Sequence, residues 1–460
     1  MESRSSRWSA LALVTTVALL GALATPSPAL AAQATPPEVT PESPSGDYLH
    51  NFNDFYTHPP MANAKPGVVL KTQRFKGRMP YKNGDRMGQP VTGSRIMYAT
   101  TASNGKIVPA TGAIIDPSKK WEGKGETPLV IFAPATLGQG PQCGASRSVG
   151  ALLGISPAAT LKNQGAQTLS LVTNYENFTI FSLLEQGFKV FVVDYVGSTE
   201  GPQSYIDNIE AGHAMLDAAR AATNVNYTQT STPVGFFGYS QGGSASALGS
   251  TLHKIYAPDV NLTTSYIGGP ALDLKEVLKL IDGTMITAAA LYALNGINAR
   301  YPEAAAYTEN LANEKGRKLL EKVKDQCIAD SILSAAFVKT ESLTKDGKPF
   351  SYHANQPNIL KKLLTVQLRE AMRKPSVPAL VVANPYDDIV GYPQMAAGAK
   401  TWCAKGAKIK FVRFIVKSDV KGMAISHLVP TFTAVPLAID YMVDAFNGKL
   451  PTKCTVSTVE

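Results

Sequence analysis

The residues best suited to do chemistry lie in the stretch VGFFGYSQGGS, which runs over residues 234–244. Within it, Ser240 is the centre of a G-x-S-x-G pattern that follows an apolar run and precedes helix-compatible sequence. This order is typical of a nucleophile elbow, a strained strand-to-helix turn that exposes a serine hydroxyl. Small residues are needed beside such a turn, because a side chain there would collide with the neighbouring strand or helix. The stretch therefore predicts a nucleophilic serine.

A serine nucleophile needs a base and an acid, and their order along the chain narrows the choice. At neutral pH the hydroxyl is a weak nucleophile, so a histidine must accept its proton and a carboxylate must fix the imidazole tautomer. In nucleophile-elbow folds the order is serine, acid, histidine. Of the six histidines, only His427 follows an acidic cluster at the end of a predicted strand. We predict that it is the base, in a loop before the last helix.

The predicted acid is Asp387, in the segment NPYDDIV that follows the apolar run 378–383. We prefer it because it lies just beyond the strand end, with an apolar pair behind it to be buried. The neighbouring Asp388 is the alternative. Asp419 is a weaker candidate because it follows the next predicted strand and comes shortly before the histidine. A solvated turn is the other interpretation of the acidic pair.

The tetrahedral intermediate of an acyl transfer needs at least two hydrogen-bond donors for its negative charge. The backbone N–H of Gln241, directly after the serine, is predicted to be one of them. The second is expected from the Gly-rich loop after the apolar run 128–133, where Thr136, Leu137 and Gly138 can turn N–H groups or a hydroxyl inward. A plain glycine-rich turn is the alternative interpretation of this loop, so the second donor stays open.

An alternation of strands and helices must position these residues. Two β-branched runs, 94–103 and 106–117, predict antiparallel strands at one edge of a sheet. After them, apolar strands alternate with helices, which predicts an α/β fold: a mainly parallel sheet with helices on both faces. Besides the run before Ser240, the predicted strands are 128–133, 188–193, 262–267, 378–383 and 409–416, and the predicted helices include 176–187, 205–222, 393–404 and 435–448.

The segment 271–374 interrupts this alternation with helical sequence and no clear strand. The interval from Ser240 to Asp387 is far longer than the roughly 40 residues that one helix and two short strands need. We predict an inserted helical cap (lid) over the carboxyl ends of the strands, where open α/β sheets bind their ligands. A purely structural helical satellite is the alternative. The remaining core is expected to comprise 51–270 and 375–460.

The first residues are typical of a secretory signal peptide. Two arginines precede an apolar run over about residues 10–24, and Ala29-Leu30-Ala31 matches a cleavage site. We therefore expect a signal peptide over 1–31, a Pro-rich linker over 32–50, and a secreted or cell-envelope-associated mature protein. An uncleaved membrane anchor is the alternative, although the apolar run is short for a membrane span.

The four cysteines indicate disulfides rather than a metal site. An even number without metal-ligand spacing, in an exported chain, favours two disulfides. Four cysteines allow three pairings, and their order alone does not choose among them. No metal and no cofactor is expected. The cysteines are Cys143, Cys327, Cys403 and Cys454.

Composition and charge exclude several classes of protein. With 44% hydrophobic and 17% charged residues, the chain is globular rather than disordered. The net charge of +9 is spread along the chain without a known nucleic-acid-binding motif, so no nucleic-acid partner is expected. We interpret the excess as solvated surface with weak attraction to an anionic envelope, and we expect a monomer.

A series of ordered motifs resembles the secreted lipases of the α/β-hydrolase fold, the Candida antarctica lipase A-like family, and especially their actinobacterial branch. The resemblance covers most of the mature chain and is far more specific than GYSQG alone. The motifs are FYTHPP, KPGVVL, APATLGQGPQCGAS, NYENFTIFSLLEQGFKVFVVDYVG, GYSQGG, NPYDDIV, WCAKGAKIKF and SHLV.

This resemblance implies a lipase or carboxylesterase with nucleophile, acid and base on Ser240, Asp387 and His427. It also implies a helical lid before the acid strand and the disulfides Cys143–Cys327 and Cys403–Cys454. The chain departs from the family in its oxyanion loop. Yeast-like members carry an acidic side chain there, whereas this chain has no acid between residues 131 and 143, and it has CGAS where CAPS is usual. The departures leave the second oxyanion donor and the acyl preference open.

Together these observations predict a secreted serine hydrolase that cleaves lipid or other carboxylic esters, with transient contact to a lipid surface or the cell envelope. A cell-envelope acyltransferase with the same three residues is an alternative, because the sequence does not distinguish water from an alcohol as acceptor. The third interpretation is a hydrolase-fold binding protein without turnover.

Overall fold

A mixed sheet of eleven strands is the centre of the fold. The computed structural model describes residues 41–42, 54–61, 64–79, 89–157, 169–199 and 201–460. The predicted signal peptide and its cleavage site lie outside these residues, as does nearly all of the predicted linker. The strands are β1 (Pro41–Glu42), β2 (Val69–Met79), β3 (Gln89–Thr101), β4 (Ile107–Ile115), β5 (Leu129–Ala133), β6 (Leu153–Pro157), β7 (Leu169–Thr173), β8 (Lys189–Val196), β9 (Val234–Tyr239), β10 (Leu262–Gly268), β11 (Ala379–Ala383), β12 (Ile409–Phe414) and β13 (Thr455–Val459).

The order of strands brings the sequence-predicted site residues to one edge. Across the sheet the order is β1-β2-β3-β4-β8-β5-β9-β10-β11-β12-β13. From β2 to β8 neighbours are antiparallel, and from β8 to β13 they are parallel. The strands β6 and β7 form a separate antiparallel pair. Because β5, β9 and β11 are parallel, their carboxyl ends meet at the same edge, where the loop 134–140 (the predicted oxyanion loop), Ser240 and Asp387 follow them.

Helices cover both faces of the sheet, which confirms the predicted fold class. Successive strand residues point to opposite faces, so Ile131 and Phe236 pack with α2 and α3, whereas Phe132 and Phe237 pack with α1 and α13. The helices are α1 (Asn177–Glu185), α2 (Asn208–Asn224), α3 (Gln241–Tyr256), α4 (Leu274–Ile281), α5 (Ala288–Arg300), α6 (Pro302–Leu311), α7 (Glu314–Val323), α8 (Ile328–Ala335), α9 (Phe350–His353), α10 (Ile359–Ala371), α11 (Tyr392–Ala404), α12 (Ile425–Thr433) and α13 (Val435–Phe446).

The segment 271–374 contains the seven helices α4 to α10 and no strand; the structure describes this whole range. Helix α5 is its buried centre: Leu291 and Tyr292 are fully buried. One of its contacts runs to the sheet-bearing part of the chain. Arg300, at the end of α5, forms an ion pair with the buried Glu210 of α2 at 3.0 Å. The division into a core and a cap remains our inference from this arrangement.

Both cysteine pairs of the family resemblance form disulfides in the structure. The bond Cys143–Cys327 joins the loop after β5 to the start of α8. The bond Cys403–Cys454 joins α11 to the residue before β13. Each disulfide therefore holds a segment beside an element that comes much later in the chain.

Within the described residues, no single helix is long and apolar enough to cross a membrane. Among the helices that the structure describes, one bent pair, α12 and α13 with 44° between them, meets such a criterion of length and composition.

Candidate active site

Ser240 occupies a strained turn between β9 and α3. Its backbone has φ 57° and ψ −116°, a conformation that residues other than glycine rarely adopt. Its N–H donates to the carbonyl of Gly268 at 2.8 Å, which fixes the turn against β10. A Cβ at Gly242 would lie 1.9 Å from the carbonyl oxygen of Ala133, and one at Gly243 would lie 2.0 Å from that of Gly268. The two glycines thus let α3 start against the sheet.

Ser240, His427 and Asp387 form a continuous hydrogen-bonded row. The Nε2 atom of His427 lies 2.8 Å from the Oγ of Ser240. The Nδ1 atom of the same ring lies 2.7 Å from the Oδ2 of Asp387. An ionised carboxylate only accepts hydrogen bonds, so Nδ1–H donates to Asp387 and Nε2 is left to accept the serine proton. The structure thus brings together the three side chains that the sequence analysis selected from three distant segments.

The carboxylate of Asp387 is buried and held in its ionised form. Burial alone would raise its pKa, but the charge of His427 and hydrogen bonds to the carboxylate outweigh burial and hold the pKa below its ordinary value. Two of these bonds come from the backbone N–H groups of Ile389 and Val390, which donate to Oδ1 at 3.0 and 2.8 Å. The apolar pair behind the acid therefore acts through its backbone as well as by burial.

The alternative acids make other contacts. The Oδ2 of Asp388 accepts from the backbone N–H of Ala424 at 3.0 Å. Ala424 has φ 60° and directly precedes α12, so this contact holds the start of the helix that carries His427. Asp419 is exposed and lies 3.8 Å from the ammonium of Lys417. Asp387 alone of the three contacts the imidazole.

The prediction that His427 lies in a loop is wrong, because it lies in the first turn of α12. This helix is short and contains Pro430, which conceals it in the sequence. Two hydrogen bonds to backbone carbonyls fix the position of the first turn of α12. The hydroxyl of Tyr239 donates to the carbonyl of His427 at 2.9 Å, and the amide of Asn384 donates to the carbonyl of Ser426 at 2.7 Å. The strand ends before the nucleophile and before the acid therefore both support the base.

The predicted oxyanion donors fall into two groups. Gln241 is the first residue of α3, so its N–H has no partner within the helix. Among the described residues, the backbone N–H groups of Thr136, Leu137 and Gly138 donate to no protein acceptor. The hydroxyl of Thr136, in contrast, is paired with that of Tyr205 at 2.7 Å. The backbone of this loop is available to an oxyanion, and its one hydroxyl is already paired.

Glu176 is a residue of this site that the sequence analysis did not select. It directly precedes α1, but its side chain caps nothing there. Instead its Oε1 accepts from the N–H of Ala135 at 2.8 Å, in the loop after β5. Burial raises its pKa to about 7, and the bond from Ala135 acts in the opposite direction. No spacing in the sequence links Glu176 to Ala135. The family-like motif NYENF, residues 174–178, was the only sequence feature that drew attention to this segment.

A row of amide side chains joins Ser240's neighbour to α5. The Nε2 of Gln241 donates to the Oε1 of Gln203 at 2.8 Å. The Nε2 of Gln139 donates to the carbonyls of Gln203 and Tyr292 at 3.0 and 2.7 Å. The Nδ2 of Asn295 completes the row by donating to the Oε1 of Gln139 at 3.0 Å. The elbow, the oxyanion loop and α5 therefore share one hydrogen-bonded connection.

This arrangement can perform nucleophilic acyl transfer without a further group. A hydroxyl bonded to an imidazole, with a buried carboxylate behind it, is the arrangement that activates serine. Within the described part of the chain, no cluster of three or more His, Cys, Asp or Glu side chains is arranged to hold a metal ion.

Comparison with known proteins gives a consistent result. The model of a family described as secretory lipase matches residues 162–454. A probable inactive lipase of Mycobacterium tuberculosis is 26% identical over 92% of this chain and 86% of its own length. A secreted triacylglycerol lipase of Malassezia globosa is 25% identical over 87% and 80%. The crystal structure of Candida antarctica lipase A superposes with a TM-score of 0.70 at 21% identity, over 88% of each chain, and so shows the same fold.

Proposed function

The chain belongs to the secretory lipase family, and from that membership and the geometry of its site we propose that it is a secreted hydrolase of lipid or other carboxylic esters with Ser240 as nucleophile. The row Ser240–His427–Asp387, with contacts of 2.8 and 2.7 Å, is the observation that carries this proposal. One relative is named a probable inactive lipase. This chain holds a complete hydrogen-bonded row, so we propose turnover rather than silent binding.

We assign each step of the reaction to a group of this site. The Oγ of Ser240 attacks the ester carbonyl carbon while the Nε2 of His427 takes its proton. The carbonyl oxygen becomes an oxyanion, which the N–H of Gln241 and the N–H groups of the loop 136–138 stabilise. The C–O bond then breaks, and the alcohol leaves with the proton from His427. Water attacks the acyl-enzyme in the same way, and the carboxylic acid and free Ser240 result.

Asp387 keeps the imidazole of His427 in the correct tautomer during this cycle. Its carboxylate accepts from Nδ1–H, so the lone pair of His427 stays on Nε2 and faces the serine. When the ring becomes doubly protonated, the buried negative charge stabilises it. Because the bonds from Ile389 and Val390 keep the carboxylate ionised, it does not take the proton itself.

We assign acyl binding to the helical segment 271–374. It follows β10 and precedes β11, the two strands beyond the nucleophile strand, and it contacts the oxyanion loop where Gly138 pairs with Cys327. A cover at the carboxyl ends of the strands would exclude water other than the attacking molecule. The substrate is accordingly a lipid or small ester, and contact with a lipid surface is transient.

A fluorophosphonate probe and a graded series of p-nitrophenyl esters test the proposal. The probe should label wild-type protein at Ser240 and leave Ser240→Ala unlabelled. The ester series, from acetyl to long acyl chains, should show turnover that the variant lacks. Labelling, with release of p-nitrophenol only when an alcohol acceptor is added and with the ester of that alcohol as product, would identify an acyltransferase. Absence of both would identify a binding protein.

A further inference from the structure

The loop after β5 is held in place from several directions. Its Pro134 carbonyl accepts from the hydroxyl of Tyr195 at 2.6 Å. The carbonyl of Thr136 accepts from the hydroxyl of Tyr175 at 3.1 Å. These contacts fix acceptors of the loop. Only one contact fixes a backbone donor in the segment 134–136, and that is the bond from the N–H of Ala135 to Glu176.

The unpaired donors of the loop begin at the next residue. The N–H of Ala135 is used by Glu176, while those of Thr136, Leu137 and Gly138 have no acceptor among the described residues. At the far end, the N–H of Gln139 donates to the carbonyl of Gln326 at 3.0 Å. The free donors thus lie between two anchored ones.

From this arrangement we propose that Glu176 is a positioning residue of the reaction, whose carboxyl oxygen holds Ala135 so that the following N–H groups face the oxyanion of the tetrahedral intermediate. The inference rests on the proposed function and adds a residue to it. Glu176 touches neither substrate nor Ser240 in this role and acts only through the loop. What matters is the reach of its acceptor oxygen, since a buried negative charge beside an oxyanion would oppose catalysis.

The groups around Glu176 support this assignment. Those that interact with it electrostatically are Tyr175, Tyr195 and Tyr266, and burial raises the pKa of each of them. All three are therefore neutral at neutral pH. No cation among the described residues pairs with the carboxylate, so its role is not that of an ion pair.

Two substitutions separate reach from charge. Glu176→Gln keeps the length of the side chain and an acceptor oxygen but removes the charge. Glu176→Asp keeps the charge but withdraws the oxygen by one methylene. Asp217→Asn is the matched control, because Asp217 is a buried carboxyl whose pKa burial also raises, to about 6, in α2 and outside the loop contacts.

The measurements are the rate constant and the end point of fluorophosphonate labelling at Ser240, together with kcat and KM on a soluble acetyl ester. The end point reports the fraction of folded sites, and the rate constant reports how well the site stabilises charge at the reacting centre. We expect Glu176→Gln and Asp217→Asn to stay within about threefold of wild type. We expect Glu176→Asp to lower the labelling rate and kcat together by about 10- to 100-fold, with KM within about twofold and the end point unchanged, since a misplacement of about 1 Å costs about 10².

Three results would overturn the proposal: a larger loss for Glu176→Gln than for Glu176→Asp, equal rates for both, or a lower end point with a wild-type rate in the labelled fraction, which would show a purely structural role. If Glu176→Asp does not fold, Glu176→Ala, which removes the acceptor oxygen altogether, is measured in its place. A wild-type protein that labels but hydrolyses no ester would refute the proposed function, while the labelling rates would still test Glu176.

Discussion

Replacement of Asp387 by Asn tests the site at the residue whose two carboxylate oxygens both accept hydrogen bonds. Asp387 accepts from His427 with one oxygen and from Ile389 and Val390 with the other. An amide has only one oxygen. If it faces the backbone, its NH₂ group meets Nδ1 and forces the tautomer in which Nε2 carries the proton, so the ring no longer accepts from Ser240. If it faces the imidazole, its NH₂ group meets two backbone donors.

The first orientation sets the size of the effect. A wrong tautomer costs a serine triad about 10⁴ in kcat, which corresponds to about 5 kcal/mol of transition-state stabilisation. The second orientation keeps the tautomer but leaves buried donors without acceptors, at about 1–3 kcal/mol of folding stability each. In either orientation the variant loses something: the correct tautomer of His427 in the first, and the acceptor for two buried backbone donors in the second. We therefore expect kcat to fall by about 10⁴ with little change in KM.

Asp388→Asn is the matched control, one residue away. Asp388 accepts a single bond, from Ala424, and an amide oxygen can replace it. We expect this variant to retain kcat within about tenfold. Both variants are assayed on p-nitrophenyl acetate, with thermal unfolding to compare their stability. If Asp388→Asn loses as much kcat as Asp387→Asn, the carboxylate has been assigned to the wrong residue.

The remaining predictions concern other parts of the molecule. Ser240→Ala and His427→Ala should each lower kcat by several orders of magnitude, and the double variant should be little worse than either, because the three residues act as a unit; additive losses would contradict the assignment. Opening Cys143–Cys327 by a double serine variant should lower the free energy of unfolding by about 2–5 kcal/mol and shift the preference among acyl chain lengths more than it lowers acetyl ester turnover. Equal loss on all chain lengths would show that the segment 271–374 does not bind the acyl chain. Burial raises the pKa of Glu176 from 4.5 to about 7. Between these pH values the folded protein keeps a proton that the unfolded chain has lost, so stability falls as the pH rises. Relative to Glu176→Gln, the wild-type free energy of unfolding should fall by about 3 kcal/mol over this range. Denaturant titrations at pH 5 and pH 8 measure this difference, and a constant difference would contradict it.

The central strands were predictable because they are buried on both faces. Such strands are continuous apolar runs, and β11, Ala379–Ala383, begins one residue inside the predicted run 378–383. Strand β13 could not be found in the same way, since all five of its residues are exposed. Strand β2 was missed for a related reason, because lysines and arginines alternate with its other residues. The two-residue β1 lies inside the segment that was expected to be a linker.

The part of the site that could be predicted is the part whose residues follow a fixed order along the chain. Serine, acid and histidine follow a fixed order in this type of fold, so Ser240, Asp387 and His427 could be selected without coordinates. The contact of Glu176 with Ala135 has no such rule, because it joins two segments that only the packing of α1 against the sheet brings together. The helix around His427 was hidden because an alanine with φ 60° begins it and a proline lies within it.

The row of amides from Gln241 to Asn295 ties the nucleophile to α5 mechanically. Helix α5 lies in the middle of the segment 271–374, which we propose as the cap, and moving it would pull on the side chain of the residue next to Ser240. A buried amide that loses its partner costs about 1–3 kcal/mol, and Gln139 would lose its bonds to both Asn295 and Tyr292. We therefore expect α5 to stay in place when substrate enters, while the helices next to it in the segment 271–374 move.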